Sequence, residues 1–187
     1  GDKAVYNNCT GSNNIISGAY ATYNSCTGSY NIVSGYEAGY NNCQGDDNII
    51  LGHQAAYKGC NEHGNIISGA YATYNSCTGS FNIVSGYEAA AEGCCGSNNI
   101  IFGLQAAYYG CTTDKNIILG HKSAFYNYAG ENNIILGDQA AYNNCTGSNN
   151  IISGYQVAHD GSCGSYNIIS GYQAAYDGCS WGGNIIS

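Results

Sequence analysis

Cysteine is the residue type here with most chemistry to offer, and the eleven cysteines recur at almost constant spacing. Cys9, Cys26, Cys43, Cys60, Cys77, Cys94, Cys111, Cys145 and Cys179 share one register of a 17-residue period, with Cys95 and Cys163 outside it. A thiol can enter a disulfide, bind a metal as thiolate, or pack as a small apolar group. This density in 187 residues favours an oxidising compartment, so an extracellular or cell-surface setting is expected. If the period stacks equivalent residues about 5 Å apart, neighbouring cysteines come within disulfide reach. One pairing uses nearly all of them: Cys26 with Cys43, Cys60 with Cys77, Cys94 with Cys111, and Cys145 with Cys163. Cys179 would then meet Cys9 of a following copy. A buried row of free thiols is the alternative. Zinc fits poorly, because a line of cysteines lacks the two close pairs that close a tetrahedron.

The other reactive types do not converge. Counting Asn14 as position 1 of the repeat, His53 and His121 fall at position 6, His63 at 16 and His159 at 10, which reads as lone surface histidines. Asp46 and Asp47 are adjacent in one unit only and lack the spaced oxygens of a calcium loop. Catalysis needs different groups gathered in a pocket, whereas here each type is spread along a line. No enzyme activity, metal or cofactor is expected. Asn8-Cys-Thr and Asn144-Cys-Thr match the acceptor pattern for N-glycosylation at Asn8 and Asn144. Four lysines, no arginine and twelve carboxylates give a net charge of -8, which argues against a nucleic-acid partner. No apolar run is long enough for membrane insertion.

The element that places these residues is the repeat itself. Asn14, Asn31, Asn48, Asn65, Asn82, Asn99, Asn116, Asn133, Asn150, Asn167 and Asn184 open eleven units of 17 residues without insertion or deletion. Position 2 is always Ile, position 3 Ile or Val, and position 5 Gly. Position 10 is aromatic at Tyr6, Tyr23, Tyr40, Tyr57, Tyr74, Tyr108, Phe125, Tyr142 and Tyr176. Residues 14 to 30 and 65 to 81 differ only at Tyr30 and Phe81, the trace of an internal duplication. A unit this short cannot hold a helical hairpin, and β-branched pairs beside Gly, Asn and Ser read as strand followed by turn. The expected fold is all-β: a single-stranded parallel β-solenoid of eleven 17-residue coils, one domain over 1–187 without separate caps or linkers. Identical residues then form rows along the rod. The asparagines are expected to bond side chain to side chain, and the aromatics to stack on each other or offer a platform to saccharides.

Alternation along a strand sends one aliphatic of each pair inward and the other outward. We assign the outward row, and with it lateral assembly, to position 3: Ile16, Val33, Ile50, Ile67, Val84, Ile101, Ile118, Ile135, Ile152, Ile169 and Ile186. A turn between the two positions would instead bury both. Gly1 stands at position 5 and Ser187 at position 4, so a second copy would continue the coil in phase, and head-to-tail stacking is also expected.

The stretches Asn31 to Tyr40 and Asn167 to Tyr176 resemble the Asn-x-x-x-Gly-Tyr-Gln-Ala-Gly-Tyr repeats of phage tail fibres and bacterial surface proteins. The unit is also similar to the β-roll heads of trimeric autotransporter adhesins. That resemblance implies a surface-exposed fibrous or adhesive solenoid, often trimeric. A cysteine in most units and Ile at both positions 2 and 3 depart from the pattern. The leading expectation is a structural subunit of an extracellular filament or fibre whose partner is itself. The alternatives are an adhesin or saccharide-binding rod recognising surface glycans, and an ice-binding protein, whose regular Ser row at position 4 is interrupted by Leu51, Phe102, Leu119 and Leu136.

Overall fold

A tripeptide of two β-branched residues and a Ser, Leu or Phe suits an extended strand, and the Gly that follows ends it. In the computed structural model these tripeptides are the strands β1 (Ile15–Ser17), β2 (Ile32–Ser34), β3 (Ile49–Leu51), β4 (Ile66–Ser68), β5 (Ile83–Ser85) and β6 (Ile100–Phe102). They continue with β7 (Ile117–Leu119), β8 (Ile134–Leu136), β9 (Ile151–Ser153), β10 (Ile168–Ser170) and β11 (Ile185–Ile186). The structure describes residues 1–7, 10–24, 27–41, 44–58, 61–75, 79–92, 96–109, 113–126, 129–143, 146–161, 164–177 and 182–187.

The strands form one parallel sheet in chain order, each residue paired with its equivalent in the next unit, as Ile49 pairs with Ile66 and Ile50 with Ile67. This is an all-β solenoid with 17-residue spacing. The register follows from the constant period: any slip would move an Ile row to the wrong face.

Outside the strands the coils remain bonded along the axis. The N–H of Thr22 reaches the carbonyl of Ala38, and that of Asn24 the carbonyl of Tyr40; the N–H of Glu37 turns the other way, to Ala19. Keeping these groups axial while the chain turns corners requires left-handed backbone at positions 7, 9 and 17, as at Gln105 (φ 54°), Ala107 (φ 50°) and Asn98 (φ 62°). Non-glycine residues avoid this region in isolation. Here the inter-coil bonds hold them there. At position 5 only Gly serves: Gly103 has φ 141°, and a Cβ on it would lie 2.2 Å from the carbonyl oxygen of Gly120.

The core is one row deep. Val33, Ile50, Ile67, Val84, Ile101, Ile118, Ile135, Ile152 and Ile169 are fully buried against the position 8 and 9 alanines, and Ile16 and Ile186 pack partly on the same core. The position 3 row therefore points inward and is not the assembly stripe assigned from the sequence. Alternation did split each pair, but the outward residue is position 2. The small row opposite explains the choice: alanine leaves room for one aliphatic side chain per coil. That side chain comes from the middle residue of the strand, whose flanking neighbours necessarily face out.

The asparagine row is buried as well. Asn31 Oδ1 accepts the backbone N–H of Asn48 at 2.8 Å while its Nδ2 donates to the carbonyl of Gly45 at 2.9 Å. The row thus bonds side chain to backbone in addition to the side-chain-to-side-chain bonding expected. The N–H just before each strand would otherwise be a buried donor without a partner. Direct amide contacts supplement this at Asn99 to Asn82 (3.1 Å) and Asn133 to Asn116 (3.2 Å).

Candidate assembly face and aromatic ladder

Two surfaces gather one residue type each in a regular array. The first is the outer face of the sheet. Strand alternation puts positions 2 and 4 on it together, so it carries Ile15, Ile32, Ile49, Ile66, Ile83, Ile100, Ile117, Ile134, Ile151, Ile168 and Ile185 beside the Ser, Leu and Phe of position 4. Inside the rod the Ile row ranges from half-buried, as at Ile100, Ile117 and Ile134, to 44 % exposed at Ile168, and it is most exposed in the end strands, at Ile15 and Ile185. Across β6 to β8 the second row is Phe102, Leu119 and Leu136, so three consecutive coils are apolar at both outward positions. From sequence these residues read as interruptions of a Ser row. Their spacing of two from the Ile row, on the same side of the strand, was the signal that they enlarge an aliphatic face.

The second surface is the aromatic ladder at position 10. Tyr6, Tyr23, Tyr40, Tyr57 and Tyr74 stack nearly parallel with ring centres 4.8 to 5.1 Å apart. A second run begins at Tyr108 and passes through Phe125 and Tyr142 to His159 and Tyr176, with separations of 4.8 to 5.2 Å. Between the runs stands Ala91. Most ring faces in the two runs are turned to a neighbour, leaving edges and hydroxyls outward. A shorter parallel stack, Tyr109 on Tyr126 at 4.9 Å, lies beside the second run at position 11.

Burial raises the pKa of Tyr40, Tyr57, Tyr108, Tyr142 and Tyr176 above the ordinary tyrosine value, and nearby carboxylates or tyrosines add to it. Tyr36 and Tyr87 are raised first by hydrogen bonds to Glu37 and Glu88. Asp160 is held below the usual carboxylate range, chiefly by the Asn143 amide donating to it at 2.7 Å, with His159 adding a further bond.

Amide-to-amide bonds run at positions 7 and 11 as well as in the asparagine row of position 1. Gln173 donates to Gln156 at 2.8 Å and Gln156 to Gln139 at 2.9 Å; on the other row Asn24 donates to Asn41 at 2.6 Å. The recurring Gln of position 7 was the sequence signal for it. The histidines are not isolated. His159 is a rung of the aromatic ladder, His53 stacks on Tyr36 at 5.3 Å, and His121 lies 3.2 Å from Asp138. His63 takes the place of a Ser at position 16, where its Nδ1 accepts the N–H of Asp46 at 3.0 Å. Asp46 in turn accepts the N–H of Ser29 at 2.7 Å, so its carboxylate closes a backbone bond between coils. The cysteines and the candidate glycosylation sites Asn8 and Asn144 lie outside the described residues.

Comparison with known proteins finds no matching family model, no matching curated protein and no matching solved structure. The solenoid geometry is therefore what the function must be read from, and the resemblance to fibre and adhesin repeats rests on the motif alone.

Proposed function

We propose that the chain is a structural rod, a β-solenoid subunit of an extracellular filament or fibre, which packs side by side with copies of itself through the outer face of the sheet. The observation that carries this reading is the outward-facing Ile row, part-buried to exposed, flanked by Phe102, Leu119 and Leu136. A row of aliphatic side chains on one line is more apolar surface than a solitary soluble protein ordinarily leaves uncovered. Its natural cover has the same axial step, because only a second solenoid can match every ridge with a groove along the whole length. The face measures about 10 Å by about 50 Å, so two copies would bury on the order of 1,000 Å², at the lower limit for a specific pair. Pairing should then be strongly dependent on concentration and on the apolar character of the central coils. The cysteine density supports an oxidising, extracellular setting.

The test is the triple variant Phe102→Ser, Leu119→Ser and Leu136→Ser. Seven coils already carry Ser at this position, so the fold should tolerate the change. Sedimentation velocity and negative-stain microscopy should show bundles for the natural chain and single rods for the variant at equal concentration. Single rods for both at every concentration would defeat the proposal.

A further inference from the structure

The aromatic ladder has one missing rung. Ala91 stands where the other coils place a ring or imidazole, and, itself buried, it lines with Tyr71, Tyr74, Glu88, Glu92 and Tyr108 a cavity of about 300 Å³. Tyr74 below and Tyr108 above end their respective stacks. By the ladder's own step of 4.8 to 5.2 Å, their centres lie two steps apart, about 10 Å. That spacing admits one flat ring at the distance every other rung keeps. Tyr71, tilted 59° against Tyr74 with centres 5.8 Å apart, supplies a side wall.

The charge at this gap is as specific as its shape. Ala91 shares its coil with two acids, Glu88 at position 7 and Glu92 at position 11. Glu88 accepts from Gln105 Nε2 at 2.6 Å and from the Tyr87 hydroxyl, and Glu92 from Asn75 Nδ2 at 2.7 Å. An ionised carboxylate offers about four acceptor sites, so each retains capacity toward the gap. Among the described residues, neither takes part in an ion pair. Two tyrosine faces with two carboxylates beside them attract a flat cation twice over, through the negative ring faces and through the fixed charge. A neutral ring gains the stacking alone, and an anion is repelled.

We propose that this gap is a binding slot for a planar aromatic cation, one ring of which takes the place of the missing rung between Tyr74 and Tyr108. The slot is independent of the outer sheet face, so it adds a ligand-binding function to the rod and does not depend on lateral packing.

The experiment is calorimetric titration of the intact chain with the N-methylquinolinium ion, with quinoline as a neutral counterpart of nearly the same shape. The expected result is one site per chain, with quinoline bound about tenfold more weakly. Ala91→Tyr should supply the missing ring, abolish binding and raise the melting temperature. Glu92→Gln, which keeps shape and hydrogen bonding, should weaken the cation several-fold and leave quinoline unchanged. Binding that survives Ala91→Tyr in a protein with unaltered circular dichroism would overturn the slot. Equal affinity for cation and neutral ring, unaffected by Glu92→Gln, would overturn its selectivity for cations.

Discussion

Ile117 and Ile118 are neighbours of the same type, in the same strand, yet they belong to opposite regions of the molecule. Ile118 is sealed in the core row with Ile101 and Ile135, while Ile117 lies on the outer face between Ile100 and Ile134. The same contrast recurs in each coil, and it separates two kinds of apolar residue that composition cannot distinguish. The inner row holds the coil closed against a floor of alanine. The outer row lies on the opposite face of the sheet, part-buried to exposed, and takes no part in that core. A row of identical residues thus says that something is periodic, not what the row is for.

The sharpest way to break this contrast is a pair of truncations. Ile118→Ala should cost about 2–5 kcal/mol, the usual range for emptying a core site, because the thin core has no second layer to collapse into the space. Ile117→Ala should cost under about 1 kcal/mol in the isolated rod, since surface substitutions away from special features do little. Urea denaturation of both variants at a concentration where rods are single measures the difference. Equal losses would mean that the outer row is also structural.

A smaller effect probes how strictly the interior excludes polar groups. Thr73 Oγ1 is buried without a hydrogen-bond partner, whereas Thr22 Oγ1 reaches the carbonyl of Ala4 at 3.3 Å. Position 9 is Ala in the next coils, at Ala90 and Ala107, with the same left-handed backbone. Thr73→Ala should therefore stabilise the rod by about 1 kcal/mol, read as a higher denaturation midpoint at unchanged slope. The opposite sign would show that the hydroxyl is satisfied.

The weakest dependence is on pH and belongs to the ladder that runs beside the two aliphatic rows. Tyrosines whose folded pKa is raised hold their protons longer folded than unfolded. Their contribution is complete below the unfolded value of about 10 and is lost as pH rises through the folded values. Stability should fall on the alkaline side, with Tyr40, Tyr57, Tyr108, Tyr142 and Tyr176 titrating later than free tyrosine in an ultraviolet absorbance titration. Asp160 works in reverse: its lowered pKa favours the folded state above the ordinary carboxylate range and is lost as pH falls through the folded value.

Much of this architecture was legible in advance. An uninterrupted period of 17, with Ile at position 2 and Gly at position 5, leaves parallel in-register strands as the economical solution, and the ladders follow from it. The aromatic row could be read residue by residue. Its gap at Ala91 was visible as an exception, but its meaning was not, because only the stacked coils bring the side chains around it together to line a cavity. His159 looked like a stray histidine for the same reason: a flat ring at the right height serves as a rung whatever its chemistry.

What the sequence by itself determined is the period, and through it the strand register, the all-β class and the alignment of like residues in rows. Tertiary structure alone decided which row faces inward. Alternation is symmetric and assigns two faces without naming them; the alanine floor breaks the symmetry by leaving depth for one aliphatic side chain per coil. It also decided where the amides bond. A buried N–H at the start of each strand draws the asparagine oxygen to the backbone, so the position 1 row combines that bond with amide-to-amide contacts, while on the outer rows the amides bond side chain to side chain, as Asn24 does to Asn41.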